Sequence, residues 1–199
     1  NLSCIKQSGK VSELNSKIEK ISMKGSYGIA HTRWATHGPP NDTNAHPHLD
    51  QTGKIALVHN GIIENYSSIK MTLEGRGIKF TSDTDTEVLV QLISELYYKN
   101  DKKVSFENAV KAALQEVVGA YGIVAICVDE PGKMVAARMG SPLVLGVGDG
   151  EYLLASDASP IIDYTRNVIY LEDDEFVKID YSGYEISNIN SADVITKTL

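Results

Sequence analysis

Apolar and polar positions along the chain fall into two textures. The first is helical. Val88, Leu89, Leu92, Ile93 and Leu96 recur at the spacing of one helix face and predict a helix over residues 88–98. Thr84-Asp85-Thr86-Glu87 just ahead of it has the spacing of a capping box. Asn65 is placed to cap a helix from 66 to about 76, stopped by Gly75 and Gly77. Ser105 is placed to cap another over 106–118, ended by Gly119, and residues 13–21 form a short helical stretch. The second texture is short apolar runs divided by turn residues. It predicts strands at 122–128, 134–138, 143–147, 152–155, 167–171, 176–180 and 184–187. Asp129-Glu130-Pro131-Gly132, Gly148-Asp149-Gly150 and Tyr181-Ser182-Gly183 supply turns between them. Earlier in the chain, residues 4–11 are strand-like, 27–32 form a buried strand, and 54–59 form a strand closed by an Asn60-Gly61 turn. A loop rich in Gly, Pro, Asn and His spans 36–47. Hairpins imply antiparallel sheet and amphipathic helices need a face to cover, so the expected fold is α+β, helices layered on antiparallel sheets. No repeat or proline-rich linker divides the 199 residues, which favours a single domain.

Charge and cysteine usage narrow the function classes. A formal net charge of −7 argues against non-specific nucleic-acid binding, which rests on clustered Lys and Arg. No apolar run approaches the roughly 20 residues that span a bilayer, and the first residues do not resemble a signal peptide. Cys4 and Cys127 lie too far apart to suggest a disulfide framework. A cytoplasmic protein without membrane or nucleic-acid partners is the expectation, with Cys127 a small core residue.

Three clusters concentrate chemistry. In His31-Thr32-Arg33-Trp34-Ala35-Thr36-His37-Gly38, a guanidinium, two imidazoles and the single tryptophan are delivered at one strand end. Arg offers a planar fork suited to a carboxylate; a surface turn with a salt-bridged Arg is the plain alternative. In His59-Asn60-Gly61, the Asn amide and a glycine N–H can both address one oxyanion, against the alternative of a type I′ turn. In Ser82-Asp83-Thr84-Asp85-Thr86-Glu87, Asp85 is either a first-turn helix acid or a partner for a ligand ammonium. His46-Pro47-His48 raises a metal question, but Pro47 spoils a helical face and no cysteine ligand or His-Glu-x-x-His pattern is near. Hydrogen bonding within a polar loop is the better reading of these histidines, and neither metal nor cofactor is expected. The glycines at 146, 148 and 150 lack phosphate-loop spacing.

Together these residues resemble the glutamine amidotransferase domain of the N-terminal-nucleophile class, in its glucosamine-6-phosphate synthase (glutamine–fructose-6-phosphate aminotransferase) branch. The matching runs are residues 28–38, Asn44-Ala45-His46-Pro47-His48, residues 59–65, Thr84-Asp85-Thr86-Glu87, Gly119-Ala120-Tyr121-Gly122 and Gly140-Ser141-Pro142-Leu143. The resemblance implies a four-layer αββα sandwich and one glutaminase domain over residues 1–199. It implies that Arg33 grips the α-carboxylate of glutamine, with Thr36 and His37 beside it. Asp85 would pair with the α-ammonium, and Asn60 and Gly61 would form the oxyanion hole. Such a domain supplies ammonia from L-glutamine, leaving L-glutamate, to a synthase (sugar isomerase) domain of the same parent chain that converts fructose 6-phosphate to glucosamine 6-phosphate. A homodimer through that domain is implied, with Trp34 either at the domain interface or a packed aromatic. The family's nucleophile is an N-terminal cysteine whose own amine is the base. Here residue 1 is Asn and Cys4 has no free α-amine, so the chain is expected to lack the family's first strand and helix and to be inactive alone. Two other readings are a non-catalytic glutamine-binding module and an amidotransferase with another acceptor, such as an amidophosphoribosyltransferase.

Overall fold

The computed structural model describes residues 2–21, 23–34, 38–99, 104–191 and 194–197. A short helix α1 (Val11–Ile18) precedes strands β1 (His48–Leu49) and β2 (Ile55–Ile63). Helices α2 (Tyr66–Glu74), α3 (Asp85–Tyr98) and α4 (Phe106–Gln115) follow. The remainder is β3 (Gly119–Cys127), β4 (Met134–Met139), β5 (Val144–Val147), β6 (Tyr152–Ala155), β7 (Val168–Tyr170), β8 (Glu175–Asp180) and β9 (Gly183–Asn188). They form a six-stranded antiparallel sheet in the order β1-β2-β3-β4-β8-β9 and a three-stranded one in the order β6-β5-β7.

Strand alternation explains the layering. Ile55, Leu57 and Ile63 of β2 join Val88, Leu89, Ile93, Phe106 and Val110 in a core between the large sheet and the helices. Val58 of the same strand points to the opposite face, where Val124, Leu143, Leu145, Ile169 and Val177 fill the space between the two sheets. Each such fully buried aliphatic or aromatic side chain contributes about 1.5–3 kcal/mol through removal from water. Two cores with one shared sheet make an α+β sandwich, as the hydrophobic pattern implies.

Local details differ from the sequence-based expectation where pairing, not propensity, decides. The segment 27–32 is not a strand: it has no ladder partner among the described residues, although Ile29 packs on the inter-sheet core. Residues 4–10 form no strand either, and α1 begins at Val11 and ends at Ile18. Asn65 makes no helix cap. Its amide instead donates to Glu116 O (2.9 Å) and accepts from Val118 N–H (2.9 Å), tying α2 to the entry of β3. Gly119 does not merely end α4, which stops at Gln115; it opens β3 opposite Ile63. Half of the capping box forms at α3, where Thr84 Oγ1 accepts from Glu87 N–H at 3.2 Å. The Glu87 carboxylate turns instead to Thr81 and Ser82.

Candidate active site

The largest departure is at Asn60-Gly61. No turn forms there. β2 continues through both residues, pairing Asn60 with Gly122 and Gly61 with Tyr121. β3 lies so close that a Cβ on Gly61 would fall 2.0 Å from Ala120 O, and Gly61 has φ +124°. The turn preference of Asn-Gly loses because nine paired positions on β3 hold the strand extended. The alternation of β2 then turns His59 toward α3 and Asn60 toward the opposite face, where Val58 lies.

Asn60 and Gly61 border a cavity of about 80 Å³ shared with His31, Arg33, Trp34, His46, His59, Thr84, Asp85 and Thr86. Residues more than 50 positions apart in the chain thus converge on one spot. Thr36 and His37, the other expected members, lie outside the described residues. Trp34 is 89% exposed, which sets aside the packed-aromatic alternative.

Each wall has its own scaffold. Arg33 donates to the carbonyls of Pro39 (2.9 Å) and Gly38 (3.2 Å), folding its loop back on itself. Asn44, fully buried, joins that loop to the start of α3. Its Nδ2 donates to Pro39 O (3.1 Å) and Asp83 Oδ2 (3.3 Å), and its Oδ1 accepts from Asp83 N–H (3.0 Å). Glu87 accepts from the N–H and hydroxyl groups of Thr81 and Ser82 at 2.6–3.2 Å, which fixes the turn into the helix. Burial disfavours the Glu87 carboxylate, but those hydrogen bonds outweigh it and hold its pKa below the usual range. Asp85 is 3% exposed; its Oδ2 accepts from Ile63 N–H (2.9 Å) and its Oδ1 from Thr86 N–H (3.0 Å). His59 Nδ1 lies 3.1 Å from Thr86 Oγ1 and 3.9 Å from Asp85 Oδ2. A guanidinium, an amide and a buried carboxylate around one cavity can receive a carboxylate, an oxyanion and an ammonium respectively.

The histidines behave as a hydrogen-bonded set, for which the sequence signal is the polar His46-Pro47-His48 loop. His48 Nε2 lies 3.0 Å from Thr84 Oγ1, and His46 Nδ1 accepts from His59 N–H at 3.3 Å. Burial, assisted by the Lys6 charge, pushes His48 down to about 4. His46 is likewise pushed by burial and its neighbouring imidazoles down to about 2. A group with a lowered imidazole pKa takes up a proton on unfolding, so its stabilisation is complete above the ordinary value near 6.5 and is lost as pH falls from there. For His48 the loss amounts to about 3 kcal/mol by pH ~4. Urea denaturation across this window will show the midpoint falling from about pH 6.5 downward, and His48→Gln will reduce the slope. An identical slope in the variant would show that His48 protonation does not drive it.

Helices on one face of a shared antiparallel sheet and a second sheet on the other, with the cavity at the β2–α3 junction, form the layered fold that this chain shares with solved amidotransferases. The chain belongs to the glutamine amidotransferase domain family, whose profile matches residues 31–163. It is 48% identical over 196 residues to glutamine–fructose-6-phosphate aminotransferase [isomerizing] of Chlorobaculum tepidum, covering 97% of this chain and 32% of that protein. The Bacteroides thetaiotaomicron protein of the same name is 49% identical over 193 residues, covering 97% and 31%. The chain therefore spans about a third of the length of the curated relatives it matches. Among solved structures, the glutamine phosphoribosylpyrophosphate amidotransferase of B. subtilis superposes with a TM-score of 0.65 at 26% identity, covering 82% of this chain and 35% of that one. A glutamine aminotransferase class-II domain protein from Silicibacter pomeroyi, at 14% identity and a TM-score of 0.54, shares the fold. Among the described residues, no helix is long and apolar enough to cross a membrane.

Proposed function

We propose that residues 1–199 are the glutaminase domain of a glutamine–fructose-6-phosphate aminotransferase, releasing ammonia from L-glutamine for the synthesis of glucosamine 6-phosphate. The observation that carries the reading is the convergence of Arg33, Asn60, Gly61 and Asp85 on one cavity. Arg33 binds the α-carboxylate, a role the family resemblance extends to Thr36 and His37, and Asp85 binds the α-ammonium. The Asn60 amide and the Gly61 N–H stabilise the oxyanion formed when the carboxamide is attacked. The similarity to two aminotransferases at 48% and 49% identity favours fructose 6-phosphate as the acceptor over phosphoribosyl pyrophosphate, the substrate named for the 26% identical structural relative.

No cysteine is among the described residues that border the cavity. Cys127 is buried in the core, where burial pushes its thiol pKa up. Cys4 borders a separate recess with Tyr27 and Leu49. In this reading neither Cys4 nor Cys127 is the attacking thiol. The acceptor chemistry belongs to a synthase domain of the same parent chain, through which two copies pair.

Calorimetric titration with L-glutamate, which carries the same α-groups and is not consumed, tests the carboxylate wall. Arg33→Ala will weaken binding by about 2 kcal/mol, roughly thirtyfold, the low end for a charged contact because Arg33 is only half-buried. Unchanged affinity would refute the assignment of Arg33.

A further inference from the structure

Building on the reading of Asn60 as the oxyanion donor, we infer that His31 is a positioning residue that holds the Asn60 amide with its oxygen turned away and its NH2 presented to the cavity.

An asparagine amide has two orientations related by a half-turn, and only one is useful to an oxyanion. With Nδ2 toward the cavity, the group donates to developing negative charge. With Oδ1 toward the cavity, it repels that charge. β2 fixes the Asn60 backbone but does not choose between the two. The choice falls to whatever meets one end of the amide, and His31, at the edge of the same cavity, places Nε2 2.8 Å from Asn60 Oδ1.

The imidazole can bond either orientation, donating from Nε2–H to the oxygen or accepting at a bare Nε2 from the NH2. Its other nitrogen decides. His31 Nδ1 is buried and has no hydrogen-bond partner among the described residues. Placing the ring proton there would leave an orphaned N–H, whereas a lone pair is the less costly group to leave unmatched. The proton therefore belongs on Nε2, the only ring position with an acceptor among the described residues, and the amide turns its oxygen to meet it. Burial also pushes the His31 pKa down, with the Asn60 bond opposing and the Arg33 charge assisting, so the ring is neutral near pH 7 and carries one proton to place.

A second ring holds the first in plane. His46 stacks on His31 with centroids 4.3 Å apart and planes 19° apart. His46 is itself fixed, because its Nδ1 accepts from the backbone N–H of His59, the residue beside Asn60. The strand that carries the amide thus also anchors the stack that orients it. A histidine serving packing alone needs neither the ring register nor the single acceptor.

The test is glutaminase activity of the full-length protein in a double-mutant cycle. Asn60→Ala lowers kcat about 10²–10³-fold, the usual loss of one oxyanion donor. His31→Phe keeps the stack and loses the donor; it lowers kcat about five- to tenfold, the worth of one hydrogen bond, with KM for glutamine within about threefold. His31→Gln carries an N–H at similar reach and recovers turnover. His31→Ala supplies the same comparison where a phenyl ring is not accommodated. The double variant Asn60→Ala with His31→Phe is no slower than Asn60→Ala, because His31 acts through Asn60. Wild-type kcat in His31→Phe and His31→Ala, or losses that multiply in the double variant, would overturn the positioning role. Full activity in Asn60→Ala would overturn instead the reading of Asn60 on which it rests.

Discussion

Gly61→Ala will cost about 3 kcal/mol or more of folding stability and will abolish the site. Two penalties combine. An alanine at φ +124° is held in a region that L-residues rarely adopt, worth about 1–3 kcal/mol. Its Cβ also lies 2.0 Å from Ala120 O and 2.7 Å from the Ala120 carbonyl carbon, so the neighbouring strand must move. Backbone cannot swing aside as a long side chain can, and overpacking of this kind adds about 1–3 kcal/mol. Gly61 pairs with Tyr121 inside the β2–β3 ladder, third from its Ile63 end, so relief of the clash breaks pairing on both sides. The expected result is a fall in the urea midpoint together with loss of L-glutamate binding. A contrasting substitution is Gly53→Ala, at φ +70° but with open space around its Cβ, which will cost only the backbone strain. Equal and small losses in the two variants would show that the close approach of β2 and β3 does not matter.

That position also marks where sequence reasoning gives out. The helical stripe of α3 and the strands from β4 to β9 were legible because their signals are local: period, turn residues and a capping hydroxyl all point the same way. Asn60-Gly61 carries an equally local signal, for a hairpin turn, and it is misleading. The continuous ladder from Ile55 to Ile63 depends on β3, whose residues lie more than 50 positions later. The segment 27–32 fails in the opposite sense, since apolar alternation makes a strand only where a partner edge is available. For the site, residue types alone left Arg33, Asn60 and Asp85 each with an ordinary structural explanation. Their common ownership of a cavity is a tertiary fact, and the family resemblance, not spacing, anticipated it. The roles of Asn44 and His31 were not assigned from the sequence, although both residues lie in runs that carry the family resemblance. His31 acts through one hydrogen bond across 29 positions of chain, and Asn44 through two to Asp83 across 39.

Asp85→Ala will separate what the fold asks of this carboxylate from what a ligand asks of it. Both oxygens already accept backbone hydrogens, from Ile63 and Thr86, and the side chain stands in the first turn of α3, where the helix dipole favours a negative charge. Removing it strands a buried N–H at the end of β2, at a cost of about 1–3 kcal/mol in stability. If the carboxylate also receives the α-ammonium of glutamine, L-glutamate binding falls by a further 3–5 kcal/mol or so, about 10²–10³-fold or more, because the charge is 3% exposed and a desolvated ion pair is poorly replaced by water. Asp85→Asn divides the two effects. An amide oxygen can still accept from Ile63 N–H, so most of the stability returns, while the charge that would hold an ammonium is gone. Restored stability with binding still lost identifies Asp85 as the ammonium site. Restored binding together with restored stability would make it a helix-start acid that braces β2, and the ammonium would have to be held elsewhere in the cavity. The geometry favours the first outcome, since the two backbone bonds keep the carboxylate fixed at the cavity wall before any ligand arrives.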